Sequence, residues 1–323
     1  MNVLRQRTQI RADNHEAPIN ASGTERKTIS WSELEDWQKD NEYIVLGYRM
    51  LQYSWWGCWE SVFAYIHNET VNIHSHLWGS VLFVYFIISV TLNGLHPEAT
   101  WIDTAVVDVF LVSAVFCLSG SAIFHTSTCH SQAVATRCHA LDYTGIIVLI
   151  VGSFFPSIYY GFYCHPHLQV FYLATITIVG FGASMIVLTP EYSQPSHRVA
   201  RTVIFIGLGL CAIVPITHIV LTTHGLHELL TEVGFGWLVA SGAMYIIGAT
   251  IYAKRFPEKG HPGKFDYFLA SHQIFHFFVV LAALAHYKSV LTSLDYRTAG
   301  SAVFSLISSS HFGHDRISAQ SAV

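Results

Sequence analysis

AVVDVFLVSAVFCLSGSAIF, residues 105–124, contains a single charged side chain, Asp108. At 1.5 Å of rise per residue, a helix of this length covers about 30 Å, the thickness of a bilayer's hydrocarbon core. Six further runs of the same kind follow or precede it: Leu77–Leu95, Tyr143–Phe162, Leu168–Leu188, Thr202–Val220, Phe235–Ala253 and Phe268–Tyr287. They are continuously apolar rather than alternating, which excludes a β-barrel. The fold expected is an all-α integral membrane protein, a seven-transmembrane helix bundle. Composition agrees. Of the 323 residues, 52% are hydrophobic and 12% charged, where a soluble domain carries roughly 25% charged residues. A net charge of −4 argues against nucleic acid as a partner.

The basic residues set an orientation. Fourteen of the 17 lysines and arginines lie in the N-terminal stretch and in the loops on its side of the membrane; the outer loops hold none. The other three, Lys288, Arg297 and Arg316, lie after the last run. Positive charge stays with the cytosol, so the N-terminus is expected inside and the C-terminus outside the cell or in a lumen. Arg5, Arg7 and Arg11 with no apolar stretch give no cleavable leader, and the first membrane run is expected to act as the targeting signal. Residues 1–45 are polar and aperiodic and are expected to form a disordered cytosolic tail. Residues 46–76 form a juxtamembrane helix region, with Trp55, Trp56 and Trp59 suited to the headgroup layer. Residues 77–288 form the membrane domain and 289–323 an extracytoplasmic tail. The six cysteines form no CxxC pair and imply neither a disulfide framework nor a thiolate metal site.

Most of the 20 histidines need no special role. His96, His165, His167, His224 and His227 fall in outer loops, His311 and His314 in the C-terminal tail, and His218 reads as a packed residue. Three differ. His125 ends the second run and His272 and His276 begin the seventh, so the topology brings all three to the cytosolic boundary. His272 and His276 are related as i and i+4 and share a helix face. Such a pair alone also suits plain packing; the shared depth with His125 is what points to metal. Three neutral imidazoles leave the fourth tetrahedral position of a zinc ion open, as in catalytic sites. Ser121 lies one turn before His125 on the same face. Asp142 starts the third helix at the same depth, where a carboxylate could take and return the proton of a zinc-bound water.

Several motifs stand in order: His67-Asn68-Glu69-Thr70-Val71-Asn72-Ile73-His74-Ser75-His76 before the first helix, Ser121-Ala122-Ile123-Phe124-His125 across the second, and Leu141-Asp142-Tyr143-Thr144-Gly145-Ile146 on the third. Pro262-Gly263-Lys264-Phe265-Asp266 then leads into Ser271-His272-Gln273-Ile274-Phe275-His276. Over about residues 43–295 the chain resembles the progestin and adiponectin receptor family, which includes haemolysin III-related proteins, and especially its fungal zinc-homeostasis members. The resemblance implies a zinc held by His125, His272 and His276, with Asp142 on the zinc-bound water and Ser121 in the inner shell. For Glu69, Asn72 and His76 the favoured reading is structural, as a cap of the first helix and a tie to the juxtamembrane helix. The activity implied is zinc-dependent hydrolysis of ceramide-like lipid amides, with membrane lipid as substrate and Asp142 and Ser121 as catalytic residues. The alternative is a non-enzymatic receptor or regulator of zinc and sterol metabolism, with a structural zinc and an extracellular protein ligand. The plasma membrane or the endoplasmic reticulum would house either. A zinc transporter fits less well because the ligands cluster on one side, and a G-protein-coupled receptor has the opposite orientation. Oligomeric state is not legible.

Overall fold

The computed structural model describes residues 26–192, 194–222 and 234–320, with side chains through residue 299. Its seven long apolar helical spans are Thr70–Asn93 (α2), Trp101–Ser127 (α3), Gln132–Gly161 (α4), Pro166–Val187 (α5), Pro195–Thr222, Phe235–Gly260 and Ser271–Ala299. The chain is a multi-pass integral membrane protein. A short helix, Trp55–Ala64 (α1), precedes them. The fifth span consists of two helices, Arg198–Leu210 (α6) and Ile213–Thr222 (α7). The sixth contains Phe235–Lys254 (α8), and the seventh begins Ser271–Gln320 (α9).

Two departures from the expected spans have local causes. The run expected as one helix over Thr202–Val220 breaks at Cys211 and Ala212. Pro215 has no N–H to offer the Cys211 carbonyl, which accepts instead from Val214 in a tighter turn. The chain after residue 288 continues as helix through Gln320 rather than leaving the membrane domain as a tail. It is anchored on the way: Arg297 Nη2 donates to Asp103 Oδ2 at 2.8 Å, and Ser289 Oγ donates to the Gly234 carbonyl. Asp103 is fully buried, pairs with the N-cap Thr100 of α3, and accepts from the Tyr160 hydroxyl.

The expectation of a disordered tail also needs correction from residue 26 onward; residues 1–25 lie outside the described residues. Thr28–Ile29 (β1) pairs antiparallel with Tyr48–Arg49 (β2), with Thr28 opposite Arg49. The segment is tied to distant chain by charge as well as by the buried side chains of Leu34 and Ile44. Asp266 accepts from the backbone N–H groups of Val45 and Leu46 at 2.7 and 3.0 Å. Glu258 accepts from Asn41 and from the start of α9 at Ser271. Partners more than 200 residues away leave no periodic trace in the segment's own sequence. On α1, Trp55, Trp56, Trp59 and Phe63 are exposed while Cys58 and Val62 are buried, a helix with one face for lipid headgroups.

Helices α2, α3, α4 and α9 meet around Phe83, Phe110, Leu111, Leu118 and Ala283. Large apolar side chains such as Phe171, Ile178, Phe181 and Leu221 point outward, a belt that only hydrocarbon accommodates without cost. The α3–α4 contact depends on small residues. A Cβ on Gly145 would stand 2.9 Å from the Cys117 Cα, and backbone cannot yield as a side chain would. Alanine normally favours a helix over glycine by about 1 kcal/mol, but overpacking costs about 1–3 kcal/mol. Gly145→Ala is therefore expected to lower the unfolding midpoint of the purified protein. Gly182→Ala, where no atom lies within 4 Å, is expected to leave it level or raise it slightly. Thermal unfolding of the two variants side by side checks this.

Candidate metal centre

His125 lies in the last turn of α3, and α9 begins one residue before His272. Antiparallel passage through the bundle brings these ends to the face over which residues 26–49 fold. The rings of His125, His272 and His276 form a near-equilateral set. Their centroids are 4.9 Å apart for His125–His272, 4.8 Å for His125–His276 and 4.9 Å for His272–His276. All three pairs are edge-on, at 72–83°. One nitrogen from each lies within 4.8 Å of the others, the one cluster of its kind among the described residues. Bonds of about 2.1 Å place tetrahedral ligand atoms about 3.4 Å apart, so binding an ion would draw the three rings inward.

Hydrogen bonds decide which nitrogens face inward. His125 Nδ1 meets Glu69 Oε2 at 2.7 Å, and an ionised carboxylate only accepts, so Nδ1 carries the proton. Nε2 of His125 is left buried and without a hydrogen-bond partner. His276 Nδ1 donates to the Asn72 carbonyl at 3.0 Å, which leaves its Nε2 as the nitrogen available to a metal. An imidazole tied through one nitrogen to a carboxylate or carbonyl, with the other open, is how protein metal ligands are normally held. A lone pair buried with no partner costs free energy that a cation would recover. The residues fit zinc.

Ser121 and Asp142 complete the set expected from sequence. The Ser121 hydroxyl lies near the Asp142 carboxylate. Both side chains, with His272 and His276, wall one end of a mostly apolar cavity of about 610 Å³. The cavity runs between α4, the broken fifth span, α8 and α9, and reaches Phe235 and His286 at its other end. Arg201, buried and 4.9 Å above the Tyr143 ring, lines it near the histidines.

The structure gives Glu69, Asn72 and His76 more than the structural role expected of them. Glu69 occupies the N-cap position of α2, but its side chain makes no cap hydrogen bond. It turns to His125 and accepts from Asn72 Nδ2 at 2.7 Å. Burial acts to raise the Glu69 carboxyl, yet the His125 ring and the Asn72 amide outweigh it and hold it well below the usual carboxylate range. His76 stacks on His276 with centroids 3.7 Å apart and planes within 9°. The signal was present in the spacing: residues 69, 72 and 76 stand at i, i+3 and i+7 on one helix face. Arg49 is the other missed residue. Buried at 3% exposure, it donates to the carbonyls of His125 and Thr126 and to Thr128 and Ser61. His218 is a packed residue, accepting from or donating to the Tyr172 hydroxyl at 2.8 Å. His224 and His227 lie outside the described residues.

A seven-helix membrane protein with a three-histidine cluster at one end of its bundle is the class these features define. The chain belongs to the haemolysin-III related family, which matches residues 64–287. It is 38% identical over 264 residues to the "Progestin and adipoQ receptor-like protein 1" of Caenorhabditis elegans, covering 82% of this chain and 60% of that one. It is 37% identical over 274 residues to the "Adiponectin receptor protein" of Drosophila melanogaster, covering 84% and 60%. Against the "ADIPOR-like receptor IZH2" of Saccharomyces cerevisiae it is 38% identical over 273 residues, covering 84% and 85%. The match thus spans about three-fifths of the worm and fly relatives and most of the yeast one.

The Glu69–His125 bond generates a prediction. Glu69→Gln keeps the shape but removes the charge that fixes the tautomer. It is expected to weaken zinc binding about 10–100-fold, read by competition with a chelator of known affinity. An unchanged affinity would mean that Glu69 does not support the ligand.

Proposed function

We propose that this chain is a zinc-dependent hydrolase of long-chain lipid amides of the ceramide kind, releasing a fatty acid and a sphingoid base. The observation that carries the reading is the juxtaposition of a carboxylate and three clustered imidazoles with one end of a long apolar cavity. A zinc ion bound by His125, His272 and His276 would supply a Lewis acid and a water acidified towards neutral pH. Asp142 then accepts the proton from the attacking water on its carboxylate and returns it to the departing amide nitrogen. Ser121 keeps that carboxylate aimed, and Glu69 and the Asn72 carbonyl keep two of the imidazoles facing inward. The acyl chain lies along Ile146, Leu149, Phe154 and Phe205, where burial of each methylene contributes about 0.8 kcal/mol. In the orientation that the basic residues favour, the centre faces the cytosol, at the plasma membrane or the endoplasmic reticulum.

Asp142→Asn preserves size but cannot accept the proton. It is expected to lower turnover of a fluorescent ceramide by about 10²–10⁴-fold while zinc content stays at the wild-type level. Turnover equal to wild type removes the mechanism. Chelation of zinc is expected to abolish turnover, and re-addition to restore it.

A second reading has its own support, since the fly and yeast relatives are named receptors. In that reading the ion is structural and an extracellular protein ligand acts on the opposite face. The two separate cleanly in cells: a receptor with structural zinc keeps signalling with Asp142→Asn and loses it with His125→Ala. Orientation is tested independently by an N-terminal epitope tag. In sealed cells the tag is expected to resist external protease and to be cut only after permeabilisation.

A further inference from the structure

Cys58 on α1 and Cys129, just past the end of α3, bring their sulfurs to 3.6 Å from one another. They are free thiols separated by 71 residues, and both are buried, at 0% and 1% exposure. The elements that carry them are held in register by the backbone: Gln52 N–H donates to the Cys129 carbonyl at 2.7 Å and Tyr53 N–H to the His130 carbonyl at 3.1 Å. The Trp55 ring packs on the His130 ring at 5.2 Å. A disulfide needs sulfurs about 2.05 Å apart, so closure asks for a small side-chain movement and none of the backbone register.

We propose that Cys58 and Cys129 form a reversible, peroxide-sensitive dithiol that locks α1 to the inner end of α3 beside the metal centre. The inference is independent of the hydrolase reading and needs no lipid substrate. The local chemistry favours Cys129 as the attacking sulfur. Cys129 Sγ donates to Cys58 Sγ; sharing that hydrogen bond holds the Cys129 thiol below its ordinary range, and the Arg49 guanidinium adds to that pull, outweighing burial. The same hydrogen bond and burial push the Cys58 thiol up. One sulfur is thus prepared as a thiolate and the other as its resolving thiol. The nearby Arg49 cation also disfavours the rival use of two sulfurs, as ligands for a soft metal ion.

The oxidant is a hydroperoxide. The Cys129 thiolate attacks one peroxide oxygen; an S–O bond forms, the O–O bond breaks and hydroxide leaves. Cys58 then gives its proton to that hydroxide and attacks the Cys129 sulfur; the S–S bond forms, the S–O bond breaks, and the second oxygen leaves as hydroxide, which takes up the proton that Cys129 released on ionising and becomes water. Two thiols are oxidised, one peroxide is reduced to two waters, and cellular dithiols reverse the step.

The position gives the bond a consequence. Arg49 grips the His125 carbonyl and Ser61 on α1 at the same time. Cross-linking Cys129 to α1 therefore immobilises both ends of the structure from which the His125 ring projects.

The test uses the full chain purified in detergent, treated with a few equivalents of hydrogen peroxide. Remaining thiols are alkylated and peptides are mapped without reduction. The expected product joins the peptides of Cys58 and Cys129, disappears with dithiothreitol, and is absent from Cys58→Ala and Cys129→Ala. The oxidised wild type is expected to unfold about 5–10 °C higher than the reduced form, a shift both variants lack. Three results overturn the proposal: both cysteines still alkylated after peroxide, sulfinic acid at Cys129 with no cross-link, or a soft metal ion held by the pair as purified. The wild-type peptide map decides the matter even if an alanine variant does not fold.

Discussion

A 2.7 Å contact between the Glu69 carboxylate and His125 Nδ1 joins the start of one helix to the end of another and fixes one tautomer of one ring. Much of this face of the molecule is arranged around it. Asn72 holds the carboxylate from below, and its backbone carbonyl holds His276, so one turn of α2 positions ligands from α3 and α9. Arg49 grips His125 from the backbone side. Removing the carboxylate would leave a buried imidazole free to turn, and the other two rings would lose their common focus.

That dependence accounts for the folded segment over residues 26–49. Arg49 can reach the His125 carbonyl only if β2 is held down, and β2 is held by β1, by Asp266 at Val45 and Leu46, and by Glu258 through Asn41. Glu258 also binds the backbone of Ser271, immediately before His272. The same few acidic groups thus fasten the N-terminal segment and set the start of the helix that bears two of the three histidines. Buried charges of this kind contribute little net stability but are costly to leave unpaired, so they specify one arrangement among many.

The cavity beside the histidines arises from a different constraint. Pro215 cannot continue the hydrogen-bond ladder of the fifth span, and residues on both sides of the resulting break at Cys211 and Ala212 line the cavity. An apolar space lies beside the break, and the polar residues collect at one end of it, where water and lipid headgroups are near. A bilayer tolerates irregular backbone only where it lines protein or a cavity, and here it does the latter.

Seven spans, their order and the meeting of His125 with His272 and His276 were legible in the amino-acid sequence, because span length depends on hydrocarbon thickness and strict alternation across a bilayer fixes which helix ends share a face. Ser121 and Asp142 were legible for the same reason, one turn and one loop away. Hidden were the contacts made by side chains that carry no periodic signal: Arg49 on the His125 carbonyl, Glu69 turned from its own helix cap to another helix, Asp266 holding backbone 220 residues away, and two ordinary-looking cysteines 3.6 Å apart. Helices in lipid are specified by local composition, whereas the aim of each ring and the pairing of each buried charge depend on distances that exist only once the helices have packed.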